Sequence, residues 1–152
     1  MRGVYEACYS APSVNTARTL MYITAPSGAI VEVLSASVTN VDNDTNEQLE
    51  CSIQKVSTLG SPTATSITPT RLESGGPTAG STVAANITAS EPSYATGVEV
   101  NREGWPSLGG WRYQPVPEER LHIGAGQTWG IRMLSTPVSH TSNVKVVFRE
   151  IG

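Results

Sequence analysis

The stretch Ile30–Thr39, IVEVLSASVT, decides the fold class of this chain. One side of it carries Ile30, Leu34, Ala36 and Val38, interrupted by Glu32, and the other carries Val31, Val33, Ser35, Ser37 and Thr39. A period of two with frequent β-branched residues predicts a β-strand with one side against a core. The side that begins at Ile30 is the predicted core side.

Similar short patterns precede and follow this stretch, separated by turns rich in Ser, Thr, Gly and Pro. The predicted strands are 4–10, 20–23, 30–39, 47–56, 83–88, 97–101, 120–123, 127–134 and 143–151. Turn signals about every ten residues predict an all-β fold, an antiparallel β-sandwich or jelly-roll-like barrel of about eight to ten strands. The predicted core is Ile30, Leu34, Val38, Leu49, Ile53, Leu121, Ile123, Trp129, Ile131, Met133, Val146 and Phe148.

The length of 152 residues suits a single domain that spans residues 1–152. A short N-terminal arm, about residues 1–9, precedes the predicted sandwich. Residues 57–82 contain few apolar side chains and include Ser74–Pro77, a break of structure. They predict a long surface excursion with one short edge strand, in which only Ile67 and Leu72 are buried.

Charge and hydropathy exclude several classes of function. The net charge is −3 and the pI about 5.3, which disfavours binding to nucleic acid. The sequence contains no apolar run that would span a membrane or serve as a signal peptide. We therefore expect a protein that is made in the cytoplasm, is not exported, and binds neither nucleic acid nor membrane.

The metal-binding and thiol residues follow no known site pattern. Cys8 and Cys51 lie in apolar strand-like runs, which favours buried free thiols and leaves a bridge between them open. His122 and His140 lack neighbours at zinc spacing. The loop Asn40–Asn46 has two aspartates two residues apart but lacks the glycine and glutamate of a calcium loop, so it predicts a solvated hairpin. We expect no metal and no cofactor.

The aromatic part of residues 104–120, GWPSLGGWRYQPVPEER, allows two interpretations. Trp105, Trp111 and Tyr113 form a platform on which a sugar stacks, or they have a structural role and either plug the open end of the sandwich or anchor a subunit interface. Three prolines stiffen this segment and lower the entropy lost on ordering. The aromatic rings and the prolines suit a permanent interface at least as well as a sugar site.

The charged part of the same segment does not predict an enzyme. Glu118 and Glu119 are adjacent, so on an extended chain they point to opposite sides and do not flank one glycosidic bond. Their predicted role is to pair with Arg112, Arg120 or an arginine of another subunit. A nucleophile elbow and a phosphate-binding loop are both missing from the sequence.

The order of these features resembles a family of small phage proteins. A VYxxxY-like first strand is followed by IVEVLSASVTN, an acidic loop, QLECSIQKV, a Ser/Gly/Pro-rich excursion, GWRYQPVPEERLHIGAGQTWGIRML and a last strand that ends with a glutamate. This order is similar to that of the β-sandwich decoration, or cement, proteins of tailed-bacteriophage heads. The distinctive block is Gly110–Leu134.

The resemblance implies a structural virion protein with a jelly-roll protomer. Such a protein forms homotrimers on the outer capsid surface and stabilises the capsid by clamping neighbouring copies of the major capsid protein. The predicted subunit interface is Trp105, Trp111, Arg112, Tyr113, Glu118, Glu119 and Arg120. The predicted capsid contacts lie in the N-terminal arm and the excursion and include Arg2, Val4, Tyr5 and Arg71. The alternative is a carbohydrate-binding β-sandwich module of a phage fibre or tail.

Overall fold

Two antiparallel sheets pack face to face in the computed structural model, which describes residues 3–42 and 45–152. Strands account for 63% of the residues, and the sheets do not close into a barrel. The predicted all-β antiparallel sandwich is confirmed. No helix within the described residues is long and apolar enough to cross a membrane.

The described residues form twelve strands, two more than the upper expected number. They are β1 Gly3–Val14, β2 Arg18–Thr24, β3 Ile30–Asn40, β4 Gln48–Thr58, β5 Thr63–Ile67, β6 Thr70–Arg71, β7 Thr82–Ala89, β8 Ser93–Pro106, β9 Trp111–Tyr113, β10 His122–Ile123, β11 Thr128–Met133 and β12 His140–Ile151. The two unexpected strands are the short pieces β6 and β9, too short to give a recognisable alternation. A 3₁₀ turn, Pro117–Glu119, lies between β9 and β10.

The strand order brings the two ends of the described chain together. Sheet 1 has the order β10–β3–β12–β1–β6, and β9 also pairs with β3. Sheet 2 has the order β5–β7–β2–β11–β4–β8. The last strand, β12, therefore lies between β1 and β3 and forms the centre of sheet 1.

A β-bulge interrupts the alternation of β3. Ser35 lies opposite Val147 of β12, and Val33 lies opposite the next residue, Phe148, so Leu34 is an extra residue in β3. An extra residue reverses which side of the strand faces the core, because side chains alternate with a period of two.

The bulge makes the predicted core side of β3 wrong in its first half. Val31 and Val33 are buried, whereas Ile30 is 42% exposed and Leu34 is half-buried. Beyond the bulge the prediction holds, since Val38 is fully buried.

The rest of the predicted core is largely confirmed. Leu49, Ile53, Ile123, Trp129, Ile131, Met133, Val146 and Phe148 are buried, and half-buried Leu121 packs against them. Four aromatic residues that were not assigned to the core, Tyr5, Trp105, Trp111 and Tyr113, are also buried there.

The residues of the expected N-terminal arm form part of sheet 1. From Gly3 onwards they belong to β1, which pairs with β12 along most of its length and with β6 on its other side. The Tyr5 ring is fully buried and stacks on Phe148 with 5.6 Å between ring centroids. The prediction of an arm was wrong for these residues, because the side chains of Tyr5 and Ala7 pack in the core.

The excursion contributes an edge strand to each sheet rather than one in total. β5 is the edge of sheet 2 and β6 lies at the edge of sheet 1. Ile67 is half-buried against the core, but Leu72 is 53% exposed, which contradicts its predicted burial.

A buried carboxylate holds the end of the excursion. The fully buried Glu150 side chain accepts hydrogen bonds from the Gly80 amide at 3.1 Å, the Ser81 amide at 2.7 Å and the Ser81 hydroxyl at 2.6 Å. The last strand is thereby tied to the start of β7.

Candidate functional site: the outer side of sheet 1

Side chains on the outer side of sheet 1 line up in a row across four strands. Arg112 of β9 lies opposite Ser37 of β3, Ser37 opposite Lys145 of β12, and Lys145 opposite Cys8 of β1. Neighbouring strands are about 4.8 Å apart, so the Cα atoms of Arg112 and Lys145 are about 10 Å apart. We call this set the positive row.

The direction of these side chains follows from their neighbours along the strand. Arg112 lies between the buried Trp111 and Tyr113, and Ser37 lies between the buried Ala36 and Val38. Lys145 is likewise flanked by two buried valines. Alternation therefore directs the positive row away from the core.

A second row of polar side chains runs beside the first. Thr39 lies opposite Asn143, and Asn143 lies opposite Ser10. We call the two rows together the open face: Cys8, Ser10, Ser37, Thr39, Arg112, Asn143 and Lys145. Two adjoining shallow grooves of about 260 and 610 Å³ run over it, with Gln114 at one end.

Two positive charges on the open face are without a partner. The side chains of Arg112 and Lys145 are exposed and form no ion pair or hydrogen bond with any of the residues that the structure describes. Glu6 of β1 lies opposite Val147, one row away, and does not pair with either. In a chain of net charge −3 this surface is positive.

The predicted aromatic interface lies inside the protein. Trp111 is 1% exposed and Trp105 3% exposed. The Trp111 indole donates a hydrogen bond to the Asn101 carbonyl at 3.1 Å, and the Trp105 indole lies 3.3 Å from the Cys51 sulfur. Their assignment to a subunit interface or to a sugar platform was wrong, because both rings fill the space between the sheets.

The 3₁₀ turn Pro117–Glu119, which we call the acidic turn, is held by Tyr113. The buried Tyr113 hydroxyl donates to the Glu119 carbonyl at 3.1 Å and accepts from the Leu121 amide at 2.8 Å. Tyr113 is thus a core residue rather than an interface residue. The carboxylates of Glu118 and Glu119 are exposed and have no ion pair among the described residues.

Arg120 pairs with a buried glutamate instead of the acidic turn. Its Nη1 atom lies 3.3 Å from Glu32 Oε1, while Arg149 Nε lies 2.6 Å from Glu32 Oε2. Burial by itself raises the pKa of Glu32, but hydrogen bonds and charge from Arg149 and Arg120 outweigh it, so the pKa is below its ordinary value. The expected pairing of the glutamates with Arg112 or Arg120 within the chain was wrong.

The predicted capsid contacts that the structure describes lie together at one edge of sheet 1, where Tyr5 of β1 pairs with Arg71 of β6. Arg2 lies outside the described residues, Tyr5 is buried in the core and Val4 is half-buried. Arg71 Nη1 donates to the Pro77 carbonyl at 3.1 Å, which folds the excursion back on itself. These residues do not form a common exposed surface, and for Tyr5 the assignment was wrong because its side chain is inaccessible.

The two cysteines have different environments. Both are free, but Cys8 is exposed on the open face and Cys51 is buried. Burial raises the pKa of the Cys51 thiol to about 12. The prediction of a buried thiol is therefore confirmed for Cys51 and wrong for Cys8, which lies on the outer side of β1.

The histidines and the acidic loop form no cluster of metal ligands in the described part of the chain. His140 is buried between the Val138 carbonyl at 2.7 Å and the Ser142 hydroxyl at 2.8 Å, and Ser142 is itself fully buried. Asp42 binds the amide and hydroxyl of Thr141 at 2.5 and 3.0 Å, while its partner in the expected loop, Asp44, lies outside the described residues. Residues 3–42 and 45–152 contain no cluster of three possible metal ligands.

The outer side of sheet 2 is closed by the chain itself. Because β7 and β8 lie on opposite sides of β2, β11 and β4, their connection crosses this sheet. Glu91 in the connection accepts hydrogen bonds from the Thr19 amide at 2.9 Å and the Thr19 hydroxyl at 2.6 Å. The Tyr94 hydroxyl lies 2.5 Å from the same Thr19 hydroxyl, and Arg132 stacks on the Tyr94 ring at 4.2 Å. We call this surface the covered face.

Sequence reasoning found only part of the open face. The alternation of β3 placed Ser37 and Thr39 on its polar side, and Arg112 was singled out for its charge. Lys145 and Ser10 were missed, because the pairing of the first strand with the last gives no local signal. The sequence did contain one usable signal, because β1 and β12 each carry polar residues along one side.

No known protein family, curated protein or solved structure matches this chain.

Proposed function

We propose that this protein is a structural virion protein that binds the outside of a phage capsid and stabilises it by clamping the major capsid proteins. The observation that carries the proposal is the open face, a polar surface of sheet 1 that no other described segment covers. Its grooves are lined by hydroxyl, amide and cationic side chains, with no histidine or carboxylate among them. Histidine and carboxylates, the commonest general acid–base groups, are absent from this described lining, which favours binding over an enzyme activity.

The strand order supports a viral role without deciding it. β1, β12 and β3, followed by β9 and β10, face β2, β11, β4 and β8. This is the order of a jelly roll, an architecture found in viral capsid proteins and in lectins. Since one fold serves many functions, the order supports an assembly protein only together with the open face.

The resemblance to phage decoration proteins supplies the class of partner. Its distinctive block, Gly110–Leu134, contains β9, the acidic turn, β10 and β11, and it includes Arg112 of the open face. The proposal accordingly places the protein as a homotrimer on the outer capsid surface. No cofactor or nucleic acid enters it.

The carbohydrate-binding alternative has lost the observation on which it depended. A sugar platform requires exposed aromatic rings, and the rings of Trp105 and Trp111 are buried. None of the described residues of the open face is aromatic. Tyr9 and Tyr113 line its grooves, but Tyr9 is half-buried and Tyr113 is buried.

Binding to capsids that lack this protein tests the proposal. Purified protein is mixed with such capsids, which are then pelleted and heated, and we expect saturable binding and a higher temperature of DNA release. Asn143→Trp fills the second row of the open face and is expected to abolish binding. Ser66→Trp, on the exposed edge strand β5, is the matched control and is expected to bind normally.

Two results would count against the proposal. If the unaltered protein does not bind capsids, the capsid function is wrong. If Asn143→Trp binds as well as Ser66→Trp, the open face is not the contact surface.

A further inference from the structure

The positive row has the form of a two-point site for a pair of negative charges. Arg112 and Lys145 stand about 10 Å apart with the Ser37 hydroxyl between them. Neither side chain is engaged by another described residue. Cations at this spacing fit two carboxylates that are themselves separated, rather than one small anion.

The acidic turn presents such a pair. Glu118 and Glu119 are consecutive residues of a 3₁₀ turn, in which successive side chains point about 120° apart. Pro117 restricts the backbone, and the two hydrogen bonds of the Tyr113 hydroxyl fix the end of the turn. The two carboxylates are thus held apart and exposed.

The two charge pairs do not meet within one molecule. Arg112 projects from the outer side of sheet 1, whereas the acidic turn lies beyond β9, next to the Arg120–Glu32 pair. No ion pair joins Glu118 or Glu119 to a cation of the described chain. Both charge pairs are therefore available to bind another molecule.

We propose that the acidic turn of one copy binds the positive row of a second copy, with Glu118 and Glu119 paired to Arg112 and Lys145. The charge complementarity identifies a copy of this chain as the occupant, because one sequence carries both unpaired sets. The inference rests on the proposed homotrimer and gives the positive row to a second copy, which leaves the second row of the open face for the capsid. The contact joins two different surfaces, a type that closes into a ring when the rotation allows.

The setting strengthens ion pairs that would otherwise contribute little. An exposed ion pair is worth close to nothing, but pairs shielded from water and supplied with further hydrogen bonds bind more tightly. Ser37 and Gln114 line the groove between and beside the two cations and offer such hydrogen bonds. The association is therefore expected to weaken as salt rises.

Charge exchange in solution tests the contact. Sedimentation of the full chain at about 50 mM salt compares three proteins. They are the wild type, a double variant that carries Arg112→Glu and Lys145→Glu, and a double variant that carries Glu118→Lys and Glu119→Lys. Each reversed variant is expected to associate about tenfold more weakly, or worse. Combining all four substitutions in one chain is expected to restore association fully. Mixing the two variants is expected to restore contacts between unlike copies, which form pairs but do not close a ring of three.

Glu103→Lys is the matched control, since Glu103 is an exposed carboxylate on β8 that has no ion pair among the described residues. It is expected to leave association unchanged, and circular dichroism checks that every variant is folded. A monomeric wild type overturns the proposal. So does an oligomer that neither reversal weakens, or reversed variants that do not associate when mixed.

The outcome is separable from that of the capsid experiment. Asn143→Trp alters the second row and leaves the four charged residues in place. Capsid binding without self-association would refute the contact alone, and self-association without capsid binding would refute the capsid function alone.

Discussion

The outer sides of the two sheets were built by the same chain in opposite ways. The covered face of sheet 2 is crossed by the connection from β7 to β8, in which Glu91 accepts a hydrogen bond from Thr19. Tyr94, near the start of β8, also contacts Thr19 and stacks on Arg132. The open face of sheet 1 has no such crossing segment within the described residues. Polar residues on the covered face are therefore fixed by intramolecular contacts, whereas those on the open face are free to contact a partner.

Gly130 is the position on the covered face where a side chain has least room. A Cβ atom at this position of β11 would overlap with the Tyr94 hydroxyl and come within 3.2 Å of the Tyr94 ring. The open face has room above Ser37, which lines both grooves. A larger residue should therefore be costly at 130 and tolerated at 37.

The largest expected effect is that of Gly130→Val compared with Ser37→Val. Overpacking against Tyr94 is expected to lower the free energy of unfolding by about 2–3 kcal/mol. Ser37→Val introduces a β-branched residue on an exposed strand position and is expected to change it by less than about 0.5 kcal/mol. Urea unfolding followed by tryptophan fluorescence measures both.

A double-mutant cycle identifies the cause. In a Tyr94→Ala background the added side chain at 130 has room, so most of the cost of Gly130→Val should disappear. An unchanged cost would mean that Tyr94 is not what restricts this position.

A smaller effect is expected when the crossing segment loses its anchor. Glu91→Ala leaves the buried Thr19 amide without its acceptor, which is expected to cost about 1–2 kcal/mol of unfolding free energy. Ser10→Ala, at an exposed hydroxyl on the open face, is the matched control and should cost almost nothing. Equal effects in the two variants would remove the contrast between the faces.

The pH dependence of stability offers a further test of the covered face. Burial raises the pKa of Tyr94 from an ordinary 10.0 to about 12. The folded state therefore holds the proton more tightly than the unfolded state, and this stabilisation is complete below pH 10 and is lost as the pH rises towards 12. Cys51, raised to about 12, acts in the same direction and contributes to the decline.

Unfolding midpoints between pH 8 and 12 measure this decline. Tyr94→Phe removes the tyrosine contribution, so its stability should fall less steeply above pH 10 than that of the unaltered protein. Parallel curves for the two proteins would show that Tyr94 ionises as freely when folded as when unfolded.

The smallest energetic effect is expected at the open face. Cys8→Ala should change the free energy of unfolding by less than about 0.5 kcal/mol, because the side chain is exposed. A thiol reagent should modify Cys8 in the folded protein and Cys51 only after unfolding. Two thiols that react in the folded protein would contradict the burial of Cys51.

The sequence was sufficient for the fold class because most strands carry a clear alternation. It failed within β3, where the bulge at Leu34 exchanged the two sides. A bulge is set by the register with a neighbouring strand, here β12, which is about a hundred residues away in the chain. Alternation within one strand contains no record of that register.

The candidate site was predictable only in its composition. Trp111 and Arg112 are adjacent, and sequence alone put both at an interface, whereas β9 directs Trp111 into the core and Arg112 outward. That separation depends on the pairing of β9 with β3. Strand β9 has only three residues, too few to show an alternation in the sequence. The acidic turn was singled out by sequence, but its lack of an internal cation became visible only when Arg120 was found paired with Glu32.

The central position of β12 has a consequence for synthesis. During translation, β1 and β3 leave the ribosome long before β12, and each then has a free edge where β12 will later pair. Sheet 1 is therefore incomplete until residue 151 has emerged, and such long-range pairing is slow and leaves strands open to aggregation. The nascent chain should depend on chaperones that shield strand edges, and truncation anywhere within residues 140–151 should reduce soluble yield far more than its length suggests.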